Sequence, residues 1–338
     1  MTADTLAHCP LCQARSRPMY GGLTDRLHDT PGQWDLVACT SGTCGLAWLH
    51  PRPDAESLAR AYEHYFTHVP RASPSRLRRL YLAARRTYLA RRFGYAGQSP
   101  VPGARLLGRV LGLSPQRRAA FDASVMWLGP VSGGRLLEIG CGNGELLAHL
   151  VSLGWQGRGL ETDPTGAALA RDRGLDVAVG ELGPETFAPA SFDAVVMSHV
   201  IEHVGNPRAT LAHCLQALDA GGRLVLLTPN TAAYGHRRFG RDWLHLDPPR
   251  HLHLFSATSL RRLAESAGFE VDAVFTVLRD AHWTLGASQR LREAGRYTIG
   301  RLPLRLRAVG TALLVAEWWR RRTDPLCGEE VVLIARKP

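Results

Sequence analysis

Between residues 133 and 277 the chain alternates between two hydrophobic rhythms. Short apolar runs, "RLLEIG" (135–140), "GRGLETD" (157–163), "LDVAVG" (175–180), "FDAVVMSHV" (192–200) and "GRLVLLTPN" (222–230), predict strands. After the first of them, "GELLAHLVSLG" (144–154) places Leu146, Leu147, Leu150 and Val151 in one helical stripe. "PTGAALARDRG" opens on Pro and closes on Gly, the asymmetry that helices prefer. Apolar strands separated by helices predict a parallel sheet covered on both faces, and right-handed crossovers make it doubly wound. Ligands of such sheets bind at the carboxyl ends of the strands.

The flanking regions read differently. Residues 1–60 are rich in Cys, Pro and Gly, with little periodicity. Residues 70–128 predict basic helices broken at "GQSPVPG" (97–103). In the first of these, Leu77, Leu80, Tyr81, Ala84 and Tyr88 share one face. The C-terminal stretch predicts another basic helix and a final strand, "EVVLIARK" (330–337). Length suggests about two domains.

Charge sharpens this picture. The formal net charge is +11, and all basic residues except Lys337 are Arg. The segment Val69–Ala120 holds twelve Arg and no acid. It reads either as a solvated helical face or as a surface for phosphates, anionic lipid or nucleic acid. No run reaches the ~20 apolar residues that span a bilayer. "AVGTALLVAEWW" (308–319) is too short and carries Glu317. The start, "MTADTLAHCPLC", lacks the apolar core of a secretory signal, so a cytoplasmic, reducing location is expected. In that setting seven cysteines favour metal over disulfides.

The turn after the first strand, Gly140-Cys141-Gly142-Asn143-Gly144, raises the chemical question. A pyrophosphate site prefers G-x-G-x-x-G, with free amides at the helix start. Here Glu145 stands in that place, and Glu138 precedes the turn. Negative charge at both positions suits a ligand with a cationic end. The second strand ends in Glu161, where a carboxylate can take both hydroxyls of a ribose. The ligand reads as a nucleoside without phosphates and with a positive end.

At this point the residues resemble a family. "LLEIGCGNGELL", "GLETDP", "FDAVVMSHVIEHV" and "LDAGGRLVLLTPN" resemble, in order, four motifs of class I S-adenosylmethionine-dependent methyltransferases. The resemblance covers about residues 120–277 and the final strand. It implies an α/β, doubly wound, Rossmann-like seven-stranded sheet with a small N-terminal zinc-binding module and helical additions. The implied layout is a zinc-ribbon-like module over 1–60, a basic helical linker or cap over 61–128, and the methyltransferase domain over 129–338. That domain would carry a substrate loop at 228–256 and a helical insertion at 278–328. By the same resemblance Gly140, Cys141, Gly142 and Gly144 line the methionine part of S-adenosylmethionine. Glu138 orients its amino group, Glu161 with Thr162 holds the ribose, and Glu181 is the nearest acid to the adenine. Ser198 and His199 border the methyl group and the acceptor. Tight packing is the expected role of the Cys141 thiol.

The stretch "TPNTAAYGHRRFGRDWLHLDPPRHLHLFS" (228–256) is too long for a simple turn and holds four His. It resembles a "W…D…PRH…FS" signature of bacterial methyltransferases linked to sugar, polysaccharide and secondary-metabolite tailoring. His251 and His253 share a side if the segment is extended. Either can serve as general base or pack structurally, and His203 in "HVIEHV" is the third candidate. "CPLC" (Cys9, Cys12) and "CTSGTC" (Cys39, Cys44) fit a closed tetrahedral, structural zinc site. The start of the chain resembles the zinc-ribbon-type leader of this subfamily, although its second pair is usually C-x-x-C. His8, His64 and His68 are alternative ligands. Cys214 and Cys327 read as structural.

Three functions compete. The first is O-methylation of a small-molecule, sugar or lipid-linked glycan acceptor. The second is an RNA or protein methyltransferase using the zinc module and Arg-rich helices; nucleic acid is disfavoured because the basic segment has few aromatics. The third is a noncatalytic cofactor-binding protein. The helices at 76–92 and 301–322, with Leu, Val and Trp beside Arg, also fit either peripheral contact with an anionic membrane or a cap over the substrate pocket.

Overall fold

The computed structural model describes residues 8–62, 75–96 and 101–338. His64, His68, Arg71 and most of the 97–103 break lie outside the described residues. The chain opens with β1 (Ser16–Leu23), β2 (Trp34–Cys39), β3 (Ala47–Leu49) and α1 (Ala55–Tyr62). Three helices follow, α2 (Arg76–Phe93), α3 (Ala104–Leu113) and α4 (Pro115–Ala123). The alternating region gives β4 (Arg135–Ile139), α5 (Glu145–Ser152), β5 (Gln156–Glu161), α6 (Pro164–Arg171), β6 (Asp176–Val179), β7 (Phe192–Ser198), α7 (Pro207–Ala217) and β8 (Leu218–Pro229). The remainder forms α8 (Tyr234–Phe239), β9 (His253–Leu254), α9 (Ala257–Ser266), β10 (Glu270–Val277), α10 (Ala281–Ala294), α11 (Leu304–Arg320) and β11 (Glu330–Arg336).

The strands form a seven-stranded sheet of order β10-β11-β8-β7-β4-β5-β6 and a four-stranded sheet of order β1-β2-β3-β9. In the larger sheet β4 pairs in parallel with β5 and β7, and β5 with β6. The final strand, β11, runs antiparallel to β10, so the sheet is mixed. The chain divides into two compact units.

The unit of residues 66–197 and 216–225 holds the glycine turn. Its strands are buried on both faces because helices cover them; Leu136, Leu137, Val195 and Val196 have no exposed surface. Asp163 caps α6 by accepting from the Thr165 and Gly166 amides, with Pro164 in the first turn. The basic helices are tied together by polar bonds. The Tyr88 hydroxyl donates to Asp122 at 2.8 Å, and Arg92 pairs with the same carboxylate. Trp155 donates to the Tyr95 hydroxyl at 3.1 Å. Leu77, placed on the apolar face from its spacing, is 81% exposed, because the packed part of α2 begins only at Ala83. Most arginines of α2 are solvated, while Arg85 turns toward His149. Leu106, Val110 and Leu113 stand exposed on α3.

The second unit comprises residues 1–65, 198–215 and 226–338. Here β9, from the 228–256 stretch, extends the small sheet: Trp48 pairs with His253 and Ala47 with Leu254. Leader and long stretch therefore share one core of Leu36, Leu49, Trp243, Leu246, Leu254 and Leu285. At its centre the Arg250 side chain is wholly buried. Its guanidinium donates two bonds of 2.8 Å to the Asp25 carboxylate, pairs with Asp247, and reaches the Ala61 carbonyl. Glu317 of α11 is also buried. Among the described residues no helix is long and apolar enough to cross a membrane.

Removing one partner of a buried ion network leaves the others charged and unpaired. Arg250→Met is expected to lower the unfolding free energy by about 3–5 kcal/mol, measured by urea denaturation. A loss below about 1 kcal/mol, as at surface pairs, contradicts this role.

Candidate active site

The glycine turn sits at the carboxyl end of β4, where α/β sheets hold ligands. Gly140, Gly142 and Gly144 all adopt left-handed backbone, with φ of 67°, 52° and 75°. That conformation costs any residue with a Cβ. At Gly144 a Cβ would also lie 2.4 Å from the Leu175 side chain and 2.9 Å from Ala170. The turn closes on the end of β5. The Gly140 amide donates to the Leu160 carbonyl at 2.7 Å, and the Gly142 amide to Glu161 Oε2 at 2.6 Å. Glu161 Oε1 accepts from the Asp163 amide at 2.9 Å and from the Thr162 hydroxyl at 3.3 Å.

Glu138 is 4% exposed, and its Oε2 is buried without a hydrogen bond. Burial, reinforced by the Glu161 charge, pushes its carboxyl well above the usual range. A buried carboxyl oxygen left without a hydrogen bond calls for a cationic or donor-rich ligand. Cys141 packs tightly, since a Cβ at Gly159 would lie 2.7 Å from its Sγ. Burial pushes that thiol up to about 12, so it is no nucleophile at neutral pH. Glu181 follows β6 and is exposed; the Gly180 amide beside it donates to the Glu161 carbonyl.

Ser198 ends β7, and His199, with left-handed φ of 57°, opens the turn behind it. These residues belong to the other unit. His199 Nε2 lies 2.8 Å from Glu330, and its Nδ1 3.3 Å from Glu202. Arg279 pairs with Glu330 at 2.7 Å. Burial alone would lower the His199 pKa, but Glu202 and Glu330 hold it up to about 9. His203 and His251 meet edge to face with centroids 4.7 Å apart. His203 Nδ1 lies 3.0 Å from the Arg250 carbonyl and 2.9 Å from the Tyr62 hydroxyl. His251 Nδ1 lies 2.8 Å from the His245 carbonyl. Burial, then the neighbouring His251, pushes His203 down to about 4. His253 stands apart, its ring stacked 6.2 Å from Phe255 and its backbone amide donating to the Glu202 carbonyl. Burial pushes it down to about 4.

The four leader cysteines converge. Cys9 and Cys44 Sγ are 3.7 Å apart, Cys12 and Cys39 3.4 Å, and all four sulfurs lie within 4.8 Å of one another. Tetrahedral zinc with Zn–S bonds of about 2.3 Å separates sulfurs by about 3.8 Å. The Ser41 amide points at Cys39 Sγ at 3.4 Å, as amides do around thiolates.

A family model described as a methyltransferase domain matches residues 114–274. A ubiquinone biosynthesis O-methyltransferase of Cereibacter sphaeroides is 30% identical over 191 residues, 53% of this chain and 77% of that protein. The chain belongs to the class I S-adenosylmethionine-dependent methyltransferases. A protein named as a probable S-adenosylmethionine-dependent methyltransferase in Mycolicibacterium smegmatis is 32% identical over 152 residues, 44% of this chain and 57% of that protein. A solved S-adenosylmethionine-dependent methyltransferase of Mesorhizobium loti aligns at a TM-score of 0.45 with 17% identity, covering 64% of this chain and 97% of that one. The leader and the C-terminal helices of this methyltransferase lie outside the matched domain.

S-adenosylmethionine fits the cradle. It carries an ammonium for the orphaned Glu138 oxygen, ribose hydroxyls for a carboxylate, and no phosphate to be repelled by two acids. Several residues of this methyltransferase escaped the sequence reading. Glu202 and Arg250 sit inside "HVIEHV" and "PPRH" but carried no assigned role. Asp25, Arg279 and Glu330 have no local signal, because their partners are distant in sequence.

Gly144→Ala combines positive φ with overlap against Leu175. It is expected to cost about 2–4 kcal/mol of stability, read by thermal and urea unfolding. An unchanged variant would show that the turn relaxes freely.

Proposed function

We propose that this methyltransferase transfers the S-adenosylmethionine methyl group to a hydroxyl oxygen of a small-molecule, sugar or lipid-linked acceptor. The observation that carries the cofactor half is the buried Glu138 Oε2, without a hydrogen bond, beside three left-handed glycines. Oxygen as the target is supported by relatives named O-methyltransferases. The exposed aliphatic row on α3, in a segment without acids, suits an acceptor carried on a lipid.

Glu138 takes the cofactor's ammonium, and Glu161 with Thr162 the ribose hydroxyls. Gly140, Gly142 and Gly144 let the backbone approach the methionine portion, with Cys141 packed beneath. Glu181 faces the adenine end. Ser198 and His199 border the acceptor. The cofactor supplies an electrophilic methyl on a sulfonium, so the protein's task is alignment and removal of the hydroxyl proton. An imidazole from His203, His251 or His253 receives that proton. Cys9, Cys12, Cys39 and Cys44 hold a structural zinc, which a reducing cytoplasm permits.

Calorimetric titration tests the cofactor half. S-adenosylhomocysteine is expected to bind wild type and to bind Glu161→Ala and Glu138→Ala at least about tenfold more weakly, a loss of about 1.4 kcal/mol. A raised Glu138 pKa disfavours the ionised form in the free protein, and ammonium binding favours it. Net proton release on binding, read from buffer-dependent heats across a pH series, is therefore expected for wild type and absent in Glu138→Gln. Equal affinities in all variants would overturn the assignment. A labelled methyl donor with candidate hydroxyl acceptors then tests the oxygen assignment.

Metal analysis of the purified chain is expected to give about one zinc per chain, reduced in Cys12→Ser together with thermal stability. Full stability in zinc-free protein would contradict the structural role.

A further inference from the structure

A second group of potential ligands lies away from the cysteines. Glu202, His203 and His251 each place one ligand atom within 4.8 Å of the others. The hydrogen bonds around them orient those atoms. A carbonyl oxygen only accepts, so His203 Nδ1–H donates to the Arg250 carbonyl and His251 Nδ1–H to the His245 carbonyl. In each neutral ring the basic lone pair is then on Nε2. Imidazoles that ligate metals are fixed in this way, with the other nitrogen held by a carbonyl or carboxylate. Glu202 has no exposed surface. Its Oε2 is anchored by the Thr228 hydroxyl at 2.8 Å, and Oε1 lies 3.3 Å from His199 Nδ1. A fully buried carboxylate beside two imidazoles offers a cation a third ligand that needs no further desolvation.

We propose that Glu202, His203 and His251 form a binding site for a divalent transition-metal ion, through Nε2 of each histidine and a carboxylate oxygen of Glu202. Two imidazoles and one carboxylate favour later first-row ions over magnesium or calcium. The surroundings are stiff. Arg250, whose carbonyl orients His203, is clamped between Asp25 and Asp247. The His253 amide holds the Glu202 backbone at 3.1 Å. The charged groups nearby are His199, 3.3 Å from Glu202, and Asp247, 3.9 Å from His251 Nε2.

Three protein ligands leave further coordination positions open, unlike the closed set of four cysteines. An acceptor oxygen bound there becomes more acidic, because the ion stabilises the alkoxide or phenoxide. With His203 and His251 ligated through Nε2 and no longer proton acceptors, the hydroxyl proton leaves to solvent or another base before the C–S bond breaks and the O–C bond forms. This role rests on the O-methylation reading above; the metal site itself does not.

The test is cobalt titration of the full chain with its cysteine site already zinc-loaded. The expected result is one further Co2+ per chain, with visible absorption from nitrogen and oxygen ligands and no thiolate charge-transfer band. Glu202→Gln and His251→Asn should each weaken binding about 10–100-fold, with near-ultraviolet circular dichroism checking the fold. Proton NMR of the wild-type cobalt complex gives a readout free of folding defects. Two strongly shifted, exchangeable imidazole N–H resonances are expected, one from each Nδ1–H; the cysteine site can give none. Absence of a nitrogen–oxygen site at millimolar Co2+, absence of shifted N–H signals, or unchanged affinity in folded variants would overturn the proposal. Metal binding without hydroxyl methylation would instead remove the acceptor reading and leave the site standing.

Discussion

The wholly buried guanidinium of Arg250 is the constraint on which the unit containing the cysteine leader depends. A charge removed from water is tolerated only when its hydrogen bonds are met with good geometry. Arg250 meets them with Asp25 from the leader, Asp247 from the long stretch and the Ala61 carbonyl at the end of α1. Three segments far apart in sequence are thereby held in register. The same residue's carbonyl orients His203, so the staple and the imidazole cluster share one piece of backbone. The small sheet repeats this joining through β9, which pairs with β3 and carries His253.

The other unit is organised by the opposite problem, a buried carboxyl with an oxygen left without a hydrogen bond. Glu138 lies in mid-sheet between β5 and β7, and Glu161 ends the neighbouring strand. Burial and mutual repulsion both oppose ionisation of Glu138. Such an arrangement destabilises the unliganded protein and favours a ligand that brings a positive charge. Glu161 is different, because the Gly142 and Asp163 amides already bond it and fix its direction. One carboxylate is left wanting a donor and the other is preset.

Carboxylate–histidine pairs recur around the turn after β7. His199 sits between Glu202 and Glu330 and is held charged. His203 and His245, buried with other histidines nearby, are pushed the other way. Imidazoles a few residues apart thus differ in charge at neutral pH because their nearest neighbours differ. The left-handed backbone at His199 is local strain of the kind that persists at functional sites.

Elements governed by short-range patterning were legible in the chain itself. The apolar runs became β4 to β8, the Pro-Gly pattern became α6, and Cys9, Cys12, Cys39 and Cys44 met as their pairing suggested. The acids flanking the glycine turn also announced a cationic ligand, because charge and backbone freedom there depend on neighbours in sequence. Leu77 misled, because spacing reports a face but not where packing begins. Joining of the leader to the 228–256 stretch, the antiparallel pairing of β10 with β11 and the meeting of His203 with His251 arose only in three dimensions. Each depends on partners contributed from remote segments, such as Asp25 to Arg250 or Glu330 to His199, and no local pattern specifies which remote group fills a buried charge.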